Sequence, residues 1–304
     1  MTMRMRAAAG IVSGILWLWP GSAKAGNDIY FVTYNHHIDK GEAELMVMTD
    51  YTEPAERSEE AKLGGYLSQM VELEYGLTEQ FATELMLEGF FDTSYHYGKF
   101  TGFRWENRYR LNKDENWFLN PVLYMEYEDL DPKTRFKMEV SGRTDGKGEP
   151  TEVEQRERIM ETRLVLSRDI GPWNLAFNWI NETDTRRGGF TDFGYALGVR
   201  YTLSDHHHDR EEDGQTPSAA GHHGQPPGPP PRAGRWKPAA VGLEFFGGLG
   251  NNRAFGGSFD VQPHYLSPLL MFHPSAHVMV HVAAAFGLSG VSDDLIRTGV
   301  ALEF

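Results

Sequence analysis

The sequence predicts an all-β fold, an antiparallel up-and-down transmembrane β-barrel of about twelve strands. Three observations carry this prediction. Apolar and polar residues alternate with period two from Glu42 to the end of the chain. The alternating runs are roughly 10 to 14 residues long, enough for the roughly 9 to 11 of a tilted bilayer-crossing strand and well beyond the roughly 5 to 6 usual in soluble proteins. The connections between runs alternate short and long, as they do in barrels with tight periplasmic turns and larger outer loops.

The first run, 42–51, carries Glu42 and Glu44 on its polar face. In 65–76, Val71, Leu73 and Tyr75 oppose Glu72 and Glu74, and 81–92 presents Glu84 and Glu88. The run 100–111 separates most sharply, with Phe103, Trp105, Tyr109 and Leu111 against Arg104, Glu106, Arg108 and Arg110. In 117–128, Leu123, Met125 and Tyr127 oppose Tyr124, Glu126 and Glu128, and 155–168 places Glu161 and Arg163 on the polar side. Trp173, Leu175, Phe177 and Trp179 oppose Asn174, Ala176 and Asn178 in 171–182. In 189–202 the aromatic face is backed by Gly194, Ala196, Gly198 and Arg200. The runs 237–249, 258–272, 276–288 and 294–304 complete the set, contributing Glu244, His281, Arg297 and Glu303. Pro121, Pro263 and Pro268 fall inside expected strands and mark bulges or strand ends. Gln69 and Asn107 stand at apolar-face positions. Two more alternating pieces, 29–34 and 136–140, would raise the count to fourteen, but both are too short to span.

From a periplasmic start, the inner connections 77–80, 112–116, 169–170 and 273–275 are short, and the outer ones 52–64, 93–99, 129–154 and 250–257 are longer. The inner segment 203–236 is the exception. It carries His206, His207, His208, His222, His223 and a run of prolines, a low-complexity insertion expected to be disordered. Its neutral imidazoles are candidate ligands for Zn²⁺, Cu²⁺ or Ni²⁺; no other cofactor is expected.

Composition narrows the function. The 304 residues carry 29 basic and 43 acidic side chains, a formal charge of −14, which argues against a nucleic-acid partner. No run after residue 20 approaches the roughly 18 to 20 apolar residues of a spanning helix. Cysteine is absent, which removes disulfides, thiolate metal sites and cysteine nucleophiles. Arg4 and Arg6, an apolar core over 11–19 and Ala23-Lys24-Ala25 read as a secretory signal peptide over 1–25. Its removal leaves 26 − 43 = −17 on the chain from Gly26. Residues 26–41 are then an N-terminal periplasmic or lumen-plugging segment, and 42–304 the barrel.

The last strand alternates Ile296, Thr298, Val300, Leu302 and Phe304 and stops on the aromatic. With this terminus the chain resembles Gram-negative outer-membrane β-barrel proteins, and stretches such as 103–109 and 120–124 resemble uncharacterised porin-like or transporter barrels. The resemblance implies residence in the outer membrane among lipid and lipopolysaccharide. It also implies insertion by the barrel-assembly machinery, which reads Val300, Leu302 and Phe304.

No nucleophile elbow, zinc-helix motif or nucleotide loop is present. His264 and Ser267 lie on opposite strand faces, and the expectation is that the chain is not an enzyme. The charged faces must point inward, because an outward arginine at midplane costs roughly 2 to 4 kcal/mol. The expected lumen lining comprises Glu72, Glu74, Glu84, Glu88, Arg104, Glu106, Arg108, Arg110, Glu126, Glu128, Glu161, Arg163 and Arg200, joined by Glu42, Glu44, Glu244, Arg297 and Glu303. Acids outnumber bases there, which predicts a narrow channel for small polar or charged solutes. The alternatives are a non-conducting barrel packed with salt bridges and a metal-related barrel using the histidine-rich segment.

Overall fold

The computed structural model describes residues 30–55, 65–92, 97–131, 156–186, 191–203, 238–275 and 277–304. The expected signal peptide, the piece 136–140 and the five histidines His206, His207, His208, His222 and His223 lie outside the described residues.

Twelve strands form one closed antiparallel barrel. In chain order they are β1 (Ala43–Glu53), β2 (Tyr66–Thr78), β3 (Phe81–Asp92), β4 (Tyr97–Arg110), β5 (Asn120–Leu130) and β6 (Glu157–Ile170), followed by β7 (Trp173–Asp184), β8 (Thr191–Thr202), β9 (Pro238–Asn251), β10 (His264–Ser275), β11 (Val278–Gly287) and β12 (Asp294–Glu303). Each strand pairs with its sequence neighbours, and β1 closes on β12 from Glu44↔Glu303 to Glu53↔Asp294. Period two explains the result. One face of each strand turns Leu73, Trp105, Leu123, Ile296 and similar residues outward, and the other turns the charged residues inward.

The strand ends follow backbone chemistry. The turn between β6 and β7 is Gly171-Pro172, two residues past the expected position, because Gly171 adopts a positive φ of 57° that a two-residue hairpin turn favours. β10 starts at His264 instead of residue 258, since Pro263 has no N–H for the ladder and residues 258–262 fold into a turn in which Gln262 N–H donates to Ser258 O at 2.9 Å. Pro268 does lie inside β10, and the β10–β11 pairing skips from Leu266↔Phe286 to Leu269↔Ala283 around it. The outward Gln69 and Asn107 are met by neighbouring threonines, with Gln69 Nε2 3.4 Å from Thr49 Oγ1 and Thr83 Oγ1 3.1 Å from Asn107 Oδ1.

The two halves of the interior differ. On β2 to β6 the inward side chains are long and charged, whereas β7 to β11 offer Ala176, Ala196, Gly198, Ala240, Ala283 and Ala285. Beside them Met46, Met48, Met70, Met86 and Met279 pack into a thioether cluster. The small-residue wall leaves a volume, and Tyr30, Phe31 and Val32 fill it. Tyr30, Phe31 and Val32 pack on Ala176, Ala196, Ala240 and Phe246, and the Phe31 and Phe246 rings stack at 5.5 Å. Gly198 is required here, since a Cβ would lie 2.6 Å from the Tyr30 ring. Residues 30–34 are therefore not a strand of the sheet.

Candidate functional site: the lumen and its N-terminal segment

Register brings the glutamates together. Glu303 stands opposite Glu44, Glu44 opposite Glu74, and Glu74 opposite Glu84. The row continues through Glu106, Glu126, Glu161 and Glu182 to Asp192. Directly opposed residues have Cβ atoms about 5 Å apart, so the nine carboxylates form one unbroken track on the inner wall. Because the strands are sheared, the track climbs. Glu303 and Glu44 stand at the ends of their strands on the rim that carries the N-terminal end of β1, and Glu182 and Asp192 at the opposite rim.

Arginines offset part of this charge. Arg104 pairs with Glu88, with Glu126 at 3.2 Å and with Glu128 at 2.9 Å. Arg108 pairs with Glu74 and, at 2.8 Å, with Glu106, and Arg163 pairs with Glu161. Arg110 sits at the end of β4 against Glu115, Glu72 is buried beside the track, and Arg200 is half-buried on β8. All thirteen residues expected to line the lumen point inward. Arg104, Arg108, Glu88, Glu106, Glu126, Glu128 and Glu161 are each no more than 1% exposed, so the interior is filled, not open. On β12, Val300 faces outward, while Leu302 and, just past the strand, Phe304 are half-buried beside the start of β1, where Phe304 N–H donates to Ala43 O at 2.8 Å.

The N-terminal segment is held from every side. Three successive backbone N–H groups, of Phe31, Val32 and Thr33, donate to the Glu244 carboxylate, the last two at 3.0 and 2.8 Å. Arg163 Nη1 donates to Val32 O at 2.8 Å, and Arg297 Nη1 to Phe31 O at 3.0 Å. Arg297 also lies 3.8 Å above the Phe31 ring and grips Asp50 through two bonds of 2.8 Å. Tyr34 exchanges two 2.8 Å bonds with Asn178 and donates its hydroxyl to Glu106 at 2.7 Å, with Arg108 and Arg163 over its ring. The segment thus sits on the acidic track at its midpoint. Beside it a cavity of about 60 Å³ remains, bordered by Glu72, Glu74, Glu84, His281 and Arg297, large enough for water and little else.

At the mouth next to the β6–β7 turn the segment presents His36 and His37, whose rings stack 4.4 Å apart. His36 Nδ1 lies 2.6 Å from Ser167 Oγ. Its Nε2 faces Asp169 Oδ2 at 3.7 Å and Glu115 Oε2 at 3.9 Å. His37 Nε2 is 3.0 Å from Asp169 Oδ2, and Asn174 Nδ2 donates to Asp169 Oδ1 at 2.6 Å. Burial, then the neighbouring His37, lower His36 to about 4, which keeps it neutral.

Reading the strands one at a time misses Asp50, Glu182, Asp192, Asn178 and the His36-His37 pair. The adjacent histidines were the visible signal, ahead of an acid-rich barrel. His264 and Ser267 do not meet: the His264 ring lies against Phe259 and 3.0 Å from the Tyr195 hydroxyl.

No family model and no curated protein matches the chain. Solved structures do. An outer-membrane channel from Pseudomonas putida F1 is 13% identical over 94% of this chain and 100% of its own, with a TM-score of 0.48. LpxR from Salmonella typhimurium is 9% identical over 85% of this chain and 99% of its own, at 0.40, and an outer membrane protein of Acinetobacter baumannii is 9% identical over 87% and 99%, at 0.39. The expectation that the chain is not an enzyme is withdrawn: a fold does not fix a function, and missing linear motifs do not exclude catalysis. The closed twelve-strand antiparallel sheet and its apolar outer face are by themselves the architecture of an outer-membrane β-barrel.

Proposed function

We propose that the protein is an exported outer-membrane channel of a Gram-negative cell that passes small cations and is held closed by its own N-terminal segment. The single observation that carries this reading is the acidic track, which runs from the periplasmic end of β12 to the outer end of β8 and is covered midway by Tyr34. Like charges on adjacent strands repel, so a row of nine costs stability unless counter-charges sit along it. Arg104, Arg108 and Arg163 supply counter-charges at Glu126, Glu74, Glu106 and Glu161, and the same acidic track draws mobile cations once the segment withdraws. A structural barrel would gain more from apolar packing than from so many buried acids.

Planar-bilayer recording of the intact chain and of a variant lacking residues 30–40 tests the reading. Near-silence from the intact chain and cation-selective conductance from the variant are expected. A second reading, a non-conducting barrel, is favoured by the complete burial of Arg104 among Glu88, Glu126 and Glu128. A correctly folded but silent deletion variant would establish it instead.

A further inference from the structure

We propose that His36, His37 and Asp169 form a divalent transition-metal site that clips the N-terminal segment to the mouth of the barrel, with the Glu115 carboxylate beside it. Two donors bound to a tetrahedral ion at about 2.0 to 2.1 Å stand roughly 3.3 Å apart. The donor atoms here already bracket that separation, at 3.0 Å for His37 to Asp169, 3.7 Å for His36 to Asp169 and 3.9 Å for His36 to Glu115. One donor atom from each of His36, His37 and Asp169 lies within 4.8 Å of the other two.

The surroundings are those of a built site. Ser167 takes the Nδ1 of His36 and so aims its Nε2 at the cluster, and Asn174 holds Oδ1 of Asp169, leaving Oδ2 for the ion. Ligand rings and carboxylates in metal centres are oriented by such partners. Arg110 engages Oε1 of Glu115 and leaves Oε2 facing His36. The His37, Asp169 and Glu115 side chains are 31, 39 and 40% exposed, so an ion has a way in from the mouth. Two imidazoles with carboxylate oxygens suit Zn²⁺, Cu²⁺ or Ni²⁺, and not the all-oxygen preference of Ca²⁺ or Mg²⁺.

His36 and His37 belong to the segment and Asp169 to the barrel wall, so the ion binds only the docked arrangement and stabilises it by mass action. That regulatory consequence rests on the channel reading; the site itself does not, because binding is measured without conductance.

The test uses the full chain with His206, His207, His208, His222 and His223 all replaced by alanine, titrated with Zn²⁺ against a chromophoric chelator. One equivalent bound at micromolar affinity or tighter is expected, weakened at least tenfold by Asp169→Asn and by His37→Ala. The heat-dependent gel shift of folded barrels confirms that each variant is native. Absence of Zn²⁺ binding in the parent, or unchanged affinity in both folded variants, would overturn the proposal. If the metal site holds while the residue 30–40 deletion stays silent, the site stands and the channel does not.

Discussion

Glu244 is the residue whose loss should release the N-terminal segment most cleanly. Its carboxylate is fully buried and accepts the N–H groups of Phe31, Val32 and Thr33 in succession. Glu244→Ala leaves three buried donors without an acceptor, each worth about 1 to 3 kcal/mol, so docking weakens by at least about 3 kcal/mol. That is roughly a hundredfold in the ratio of docked to released segment. Glu244→Gln keeps one acceptor oxygen and should cost far less. Since the chain has no cysteine, Thr33→Cys is a clean reporter at a position only 3% exposed. Maleimide labelling at Cys-substituted position 33 should accelerate roughly a hundredfold with Glu244→Ala and a few-fold with Glu244→Gln, as expected for an opening-limited reaction. Equal labelling rates in all three proteins would refute the reasoning, because the three hydrogen bonds would then contribute nothing to retention.

Gly198→Leu should also expel the segment, since its side chain would occupy the space of Tyr30 and Thr33, and the same labelling assay should report release while the gel shift of the folded barrel persists. Arg297→Met strands the fully buried Asp50 and should destabilise the barrel by about 3 to 5 kcal/mol in urea titrations, with Asp50→Leu added to it restoring most of the loss. On the outer face, Leu73→Arg places a charge against lipid and should cost about 2 to 4 kcal/mol in the same titration, whereas an unchanged midpoint would mean that this face does not meet the bilayer.

The strands were legible because a half-lipid, half-lumen wall forces period two, and 103–111 shows it without ambiguity: Trp105 and Tyr109 outward, Arg104 and Arg108 inward. Strand ends were less so. The Gly171-Pro172 turn carried a local signal that the alternation through Asp169 and Ile170 obscured, and residues 258–263 kept an alternating pattern although Pro263 ends the ladder. The acidic track was legible only as separate glutamates. Which carboxylate faces which is decided by register across β12 and β1 to β8, and register is set by backbone pairing that no single run encodes. The partners of residues 30–38 were hidden for a related reason. Glu244, Asn178 and Ser167 lie 130 or more residues away in sequence, and the space that admits Phe31 is defined by small residues on four different strands.

The central claim, that the segment itself closes a cation path, is tested most directly by adding it back. A synthetic peptide of residues 30–40, applied to the periplasmic side of bilayers holding the variant that lacks those residues, should return its conductance toward that of the intact chain, and the same peptide from the opposite side should act more weakly. A folded, conducting variant that ignores the peptide from both sides would contradict the account.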